Sequence, residues 1–344
     1  MSAVPRRLPA ELDVACHLNV VLADPGSDVL TAALDGIAAC EARGLSAIPI
    51  VGQSPAADVS SDDPAIRAAG SRALRRGIEL AAQLGADQLN GVPYGLFGRS
   101  ASDVPRDAWE RSAAAVGEAA EVAHDSGIAL VFEVLNRYET AMVNTAEQAM
   151  AYADASGSAH LRIHLDTFHM VVEEEDISAA IRTALPRLSF LELGQSGRGR
   201  LSRGAVDIAD VMHSALDDGY EGRWGVEAFS AAILPPPARD ALAIWRAPYV
   251  DGLHLADDAV RVLRAGWAGS APGRRAARLA RASGSDGADP LAGSPGRVDF
   301  GDDIVSHPIV AHTERETRLP DARASANPAG STPASPTGAA HTER

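Results

Sequence analysis

The sequence predicts an α/β protein, a parallel (β/α)8 barrel, on three observations. Helix-period Ala/Leu segments alternate with short apolar runs between about residues 28 and 266, the pattern of βα units feeding a parallel sheet. These units fill close to the ~250 residues that such a barrel occupies. Four successive apolar runs each end on one carboxylate, at the strand ends where a barrel of this kind carries its active site.

The elements follow in order. Apolar runs at residues 14–22, 47–51, 88–92, 129–135, 161–166, 188–193 and 224–228 read as strands. Residues 28–43, 63–84, 105–126 and 144–155 read as helices, and a further helix around 240–265 offers a face for a homo-oligomer. Seven strands stand where a closed barrel has eight, so the N-terminal end reads as lacking part of the first βα unit. An open doubly wound sheet is the alternative. No GxGxxG follows any strand, which argues against a dinucleotide site.

Past residue 268, Gly, Pro, Ala, Ser and Arg dominate, and AHTER occurs at both 311–315 and 340–344. This divides the chain into a barrel domain, 1–267, and a low-complexity tail, 268–344, expected to be disordered apart from a short basic helix around 274–281.

Composition excludes some chemistry. All 31 basic residues among the 344 are arginine, so neither a Schiff-base aldolase nor a lysine-anchored pyridoxal phosphate enzyme is available. The formal charge of −15 argues against nucleic acid or an anionic membrane as partner. Cys16 and Cys40 have no metal-type spacing, and no signal peptide or membrane span is visible, so a cytoplasmic location is expected.

The four strand-end carboxylates are Glu133, Asp166, Glu192 and Glu227, each roughly 30 residues, or one βα unit, from the next. Alternation along a strand would aim them inward while Val134, Leu165, Leu193 and Val226 face the helices. Four converging carboxylates repel one another unless a cation lies among them, and oxygen ligands suit Mg²⁺ or Mn²⁺, with Co²⁺ a further candidate. Unrelated capping or loop residues are the plainer alternative. Glu139, His169 and Arg198 follow the same strands. His164 should point inward as a packed, hydrogen-bonded histidine, and the acidic run 173–176 should open a helix. Tyr94 and Phe97 either wall a substrate pocket or simply pack.

EVLNRYE (133–139) and LDTFHM (165–170), with LGQSGRGRLSRGAVD (193–207) and VEAF (226–229), resemble the motifs of the ketose 3-epimerases, the D-tagatose/D-psicose 3-epimerase group of the xylose-isomerase-like TIM barrels. The likeness runs from about residue 45 to 265. It implies an isomerase that inverts C3 of a free ketose through a cis-enediolate, with one divalent ion held by Glu133, Asp166 and Glu227. Glu133 and Glu227 would also be the acid/base pair, and Glu139, His169 and Arg198 would hold the O1 and O2 end of the sugar. The chain departs from that group at Glu192, where a histidine ligand is usual, and at Gln195, where an acid is common. Carboxylate at 192 remains ligand chemistry and hardens the site toward Mg²⁺ or Mn²⁺. An aldose–ketose or hydroxypyruvate-type isomerase is the alternative on the same site. A metal-dependent apurinic endonuclease and a non-catalytic degenerate barrel are alternatives of other classes.

Overall fold

The computed structural model describes Pro9, residues 12–16 and residues 46–282, all within one compact unit, Met1–Ala311. Among the described residues its sheet has six strands: β1 (Ile50–Gly52), β2 (Gln88–Val92), β3 (Ala129–Val134), β4 (Arg162–Asp166), β5 (Leu188–Gly194) and β6 (Arg223–Glu227). They lie in sequence order and every pair is parallel. Parallel neighbours need a crossover, and helices supply it. These are α1 (Pro64–Gln83), α2 (Arg106–Asp125), α3 (Ala146–Ala155), α4 (Thr167–Glu173), α5 (Ile177–Ala184), α6 (Ile208–Asp217), α7 (Pro236–Ala241), α8 (Gly252–Gly269) and α9 (Ala271–Ala282).

Helix starts are written locally. Asp63 accepts from the Ala65 amide ahead of Pro64, Thr145 from Gln148, Asp176 from Ala179, and Asp207 from Asp210. Each cap satisfies one amide that the first turn leaves orphaned. On α1 the buried residues Gly70, Leu74, Ile78 and Ala81 recur at helical spacing, so one stripe meets the sheet. The main core lies between sheet and helices. It takes Val134, Leu165, Leu193 and Val226 together with Ile181, Met212 and Leu216, each large apolar side chain contributing about 1.5–3 kcal/mol on burial.

The sheet is curled. Arg223 on β6 donates to Asp87 Oδ2 (3.0 Å) and Gln88 Oε1 (3.3 Å) at the start of β2. In a flat sheet, strands four places apart would stand about 19 Å from each other. Arg223 also donates to Asp13 Oδ2 (2.7 Å). Beyond β6 the chain is joined by residues 13–15, which pair with it in parallel: Trp224 N donates to Asp13 O, Ala15 N to Trp224 O, and Val226 N to Ala15 O. This is the start of the strand expected at 14–22. The rest of that strand, the helix expected at 28–43 and residues 283–344 lie outside the described residues.

The expected basic helix is present as α9. Ser270 accepts from the Gly273 amide at its start, and Asp217 accepts from the Ala271 amide. Ordered structure therefore runs past residue 267. The acidic run 173–176 is divided three ways rather than opening one helix. Asp176 caps α5, Glu173 accepts from Arg137, and Glu174 accepts from the Ala146 amide at the start of α3. No helix of the described residues is long and apolar enough to cross a membrane.

Candidate active site

The four carboxylates meet at the C-terminal mouth of the curled sheet. Glu133 is one residue from the end of β3, Asp166 ends β4, Glu192 lies in β5 and Glu227 ends β6. Parallel register sets Asp166 opposite Glu192, Glu133 opposite His164, and Gly194 opposite Glu227. Oxygens of Asp166, Glu192 and Glu227 lie within 4.8 Å of one another. The same holds for ligand atoms of Glu133, Asp166 and His169, and for those of Glu133, His164 and Glu192. Glycine makes the room: a Cβ on Gly194 would stand 2.5 Å from Asp166 Oδ1, and one on Gly225 would stand 2.7 Å from Glu192 Oε1.

Arg198 closes one side of this cluster. It is buried, and its Nη1 donates to Asp166 Oδ2 (2.8 Å) and to Glu227 Oε2. The guanidinium lies 3.5 Å above the Phe168 ring, with Phe229 farther off, an arrangement that suits the planar arginine cation. Its backbone sits in the left-handed region at φ 53°, which costs a non-glycine residue roughly 1–2 kcal/mol. The loop that imposes this is built on Gln195. The amide nitrogen of Gln195 donates to Leu201 O (3.1 Å) and Val206 O (2.8 Å), while its Oε1 accepts from Val206 N (3.1 Å). A carboxylate there could not donate to two carbonyls, so Gln195 braces the loop and takes no part in the acid cluster.

His169 stands within 3.5 Å of Glu133 Oε1 and 3.7 Å of Asp166 Oδ2 through Nε2. Asn136 fixes its ring: the Asn136 amide (3.2 Å) and side-chain nitrogen (2.7 Å) both point at Nδ1. Two donors on Nδ1 make that atom an acceptor and put the proton of a neutral ring on Nε2. Burial pushes the His169 pKa down, but the neighbouring carboxylates outweigh it and draw it up. The Asn136 contacts oppose a second proton, and geometry favours the neutral ring. Glu139 accepts from Asn136 Nδ2 (3.3 Å) and lies at the half-buried rim.

The carboxyls are driven apart electrostatically. Burial acts to raise Glu133, but His164, His169 and Arg198 overcome it and bring it down to about 2. Glu227 rises well above the ordinary range, by burial first, then by Glu192, Asp166 and Glu133 against the pull of Arg198. Glu192 is also raised, chiefly by burial. With all four ionised and Arg198 charged, the cluster carries three surplus negative charges. A divalent cation fits this donor set, which is rich in hard oxygen and short of positive charge.

All seven residues expected at the site are gathered here. Asn136 and Phe168 are additions the sequence did not single out: their roles come from contacts with His169 and Arg198, not from any spacing. Of the two roles open to Tyr94, packing is the one observed: it is fully buried against Phe132 and Tyr152 and donates to Glu133 O (2.8 Å), while Phe97 is exposed. One expectation is corrected. His164 does point inward, but neither ring nitrogen makes a hydrogen bond of good geometry.

The parallel β/α fold that carries this acidic cluster is shared with known proteins. The family model described as a xylose isomerase-like TIM barrel matches residues 30–248. A ketose 3-epimerase of Arthrobacter globiformis is 39% identical over 245 residues, 71% of this chain and 83% of that protein. An L-ribulose 3-epimerase of Mesorhizobium japonicum is 35% identical over 216 residues, 63% of this chain and 73% of that protein. Among solved structures, the D-allulose 3-epimerase from Methylomonas sp. in complex with D-allulose is similar with a TM-score of 0.68 at 29% identity, covering 75% of this chain and 98% of that one. The chain belongs to the xylose-isomerase-like TIM-barrel family and, within it, to the ketose 3-epimerase group.

Proposed function

We propose that the protein is a metal-dependent ketose 3-epimerase that inverts C3 of an unphosphorylated ketose by exchanging a proton between two carboxylates. The observation that carries this reading is the pair Glu133 and Glu227. They lie at the ends of strands three places apart around one buried cluster, so their carboxyls can flank a substrate. Glu133, held ionised, removes the proton from C3, and Glu227 returns one to the opposite face. His169 through Nε2–H and Arg198 through its guanidinium would donate to the O1 and O2 end of the sugar, and Glu139 at the rim would accept from a substrate hydroxyl.

Glu133, Asp166, Glu192 and Glu227 would hold the ion, Mn²⁺ or Mg²⁺ by their oxygen donors. A bound divalent cation would polarise the substrate carbonyl, stabilise the enediolate charge and lower both acid/base carboxyls together.

The test is activity on D-allulose and L-ribulose, the sugars named for the relatives, with Mn²⁺ present. Glu133→Gln and Glu227→Gln should each lose about 10²–10⁴-fold in kcat. If both variants keep full activity, the assignment is wrong. Glu192 favours one second reading: it makes the strand-end set all carboxylate, which also suits an aldose–ketose isomerase moving the proton between C1 and C2.

A further inference from the structure

We propose that His164 is a further ligand of the cation, giving one imidazole nitrogen beside Glu133 and Glu192. The inference rests on the metal-dependent reading above and adds a residue that the strand-end carboxylates alone do not supply.

His164 lies two residues before Asp166 on β4, on the same face and one layer deeper. It is 3% exposed, with its ring set edge-on against Phe190 at 4.7 Å. Its Nε2 is 3.2 Å from Glu192 Oε2 and its Nδ1 is 4.0 Å from Glu133 Oε2. Neither nitrogen makes a hydrogen bond of acceptable geometry, although both are shielded from solvent. A buried polar atom left unsatisfied costs about 1–3 kcal/mol, and a persistent one calls for an explanation such as an ion. A cation at the usual ~2.0–2.2 Å from each donor spans ligand atoms up to about 4.4 Å apart. Glu133, His164 and Glu192 offer atoms within 4.8 Å of one another, a set that closes on an ion with tenths of an ångström of side-chain movement.

Arg198 donates to both Asp166 and Glu227. His169 is a poor competitor for the role, because Asn136 occupies its Nδ1 and leaves the proton on Nε2. His164 is therefore the imidazole whose ring nitrogens are not committed to a hydrogen bond. One nitrogen among oxygens shifts preference from Mg²⁺ toward Mn²⁺ and Co²⁺, against the harder site that Glu192 alone predicts.

The experiment is pulsed electron paramagnetic resonance on the full chain loaded with Mn²⁺, paired with calorimetric Mn²⁺ titration. The parent protein should show nitrogen hyperfine coupling to Mn²⁺. The coupling should vanish in His164→Gln and persist in His169→Gln, and His164→Gln should bind Mn²⁺ at least ~10-fold more weakly, the lower end of what changes in a metal's surroundings cost. A parent protein that binds Mn²⁺ tightly with no nitrogen coupling overturns the inference and leaves the metal reading standing. Coupling that vanishes in His169→Gln instead also overturns it. The parent measurement decides even if His164→Gln does not fold. A parent protein that binds none of Mn²⁺, Co²⁺ or Mg²⁺ removes both the inference and the metal reading.

Discussion

Arg198→Met is the most informative single perturbation of the metal-free site. Arginine there is buried, donates to Asp166 and Glu227, and lies on Phe168. Methionine keeps an apolar body against that ring and leaves the left-handed backbone at φ 53° as it was, so the change isolates the charge. Removing one partner of a buried ion pair costs about 3–5 kcal/mol. Glu227, already raised well above the ordinary range, takes a proton more readily than it stays charged without Arg198, which places the loss near the lower figure. At about 2–4 °C per kcal/mol for a domain of this size, the melting temperature of EDTA-treated protein should fall by roughly 6–12 °C. The gap should widen between pH 6 and pH 8, as protonating Glu227 becomes harder. Saturating Mn²⁺, which adds about 4 kcal/mol at a thousandfold excess over Kd, should recover most of the loss. Circular dichroism melts at the two pH values measure this. A fall under about 2 °C, or a gap that narrows with rising pH, would refute the description of Arg198 as the counter-ion of a buried acid pair.

Other consequences are open to direct measurement. In metal-free protein, Glu192 and Glu227 are raised above 4.5, and His164 is raised from 6.5 to about 9, its carboxylate neighbours outweighing burial. The folded state thus binds more protons than the unfolded one above pH 4.5, and stability falls as pH rises toward 9. Glu133, lowered to about 2, acts only below pH 4.5, where its contribution is lost as pH falls. Urea midpoints of EDTA-treated protein should therefore peak between about pH 4.5 and 6.5, and a rise across neutrality contradicts the electrostatics. Gly194→Ala would bring a Cβ to 2.5 Å from Asp166 Oδ1 and 3.1 Å from Arg198 Nη1. Overpacking of that kind costs about 1–3 kcal/mol, and a melt with a Mn²⁺ titration should show lower stability and weaker binding together. Asn136→Ala frees Nδ1 of His169 from both donors. It should lower kcat/KM about 10-fold with little change in melting temperature, with the altered His169 tautomer visible by NMR.

The sequence carried some of this plainly. The helices expected at 63–84 and 105–126 are Pro64–Gln83 and Arg106–Asp125, because long amphipathic periods are local signals. The carboxylates were legible because a barrel repeats its unit, so Glu133, Asp166, Glu192 and Glu227 mark the same point in successive repeats. Gln195 was not legible in the same way. Its departure from an acid has its reason in the fold, where its side-chain amide donates to Leu201 O and Val206 O. The stacking of Arg198 on Phe168 and the seating of the His164 ring beside Glu192 depend on which residues the register of β4 and β5 sets side by side. No spacing along the chain encodes that register, since a shift of one residue exchanges the inner and outer faces of a strand.

The measurement that bears most directly on the central claim is the position at which solvent deuterium enters the sugar. Mn²⁺-loaded protein incubated with D-allulose in D₂O should place deuterium at C3 of the recovered sugar and of its 3-epimer, as NMR would show, with none at C1. Deuterium at C1 with an aldose product would assign the same carboxylates to aldose–ketose isomerisation. An absence of exchange at either carbon, across ketohexoses and ketopentoses with Mn²⁺, Co²⁺ and Mg²⁺, would contradict proton transfer by Glu133 and Glu227 altogether.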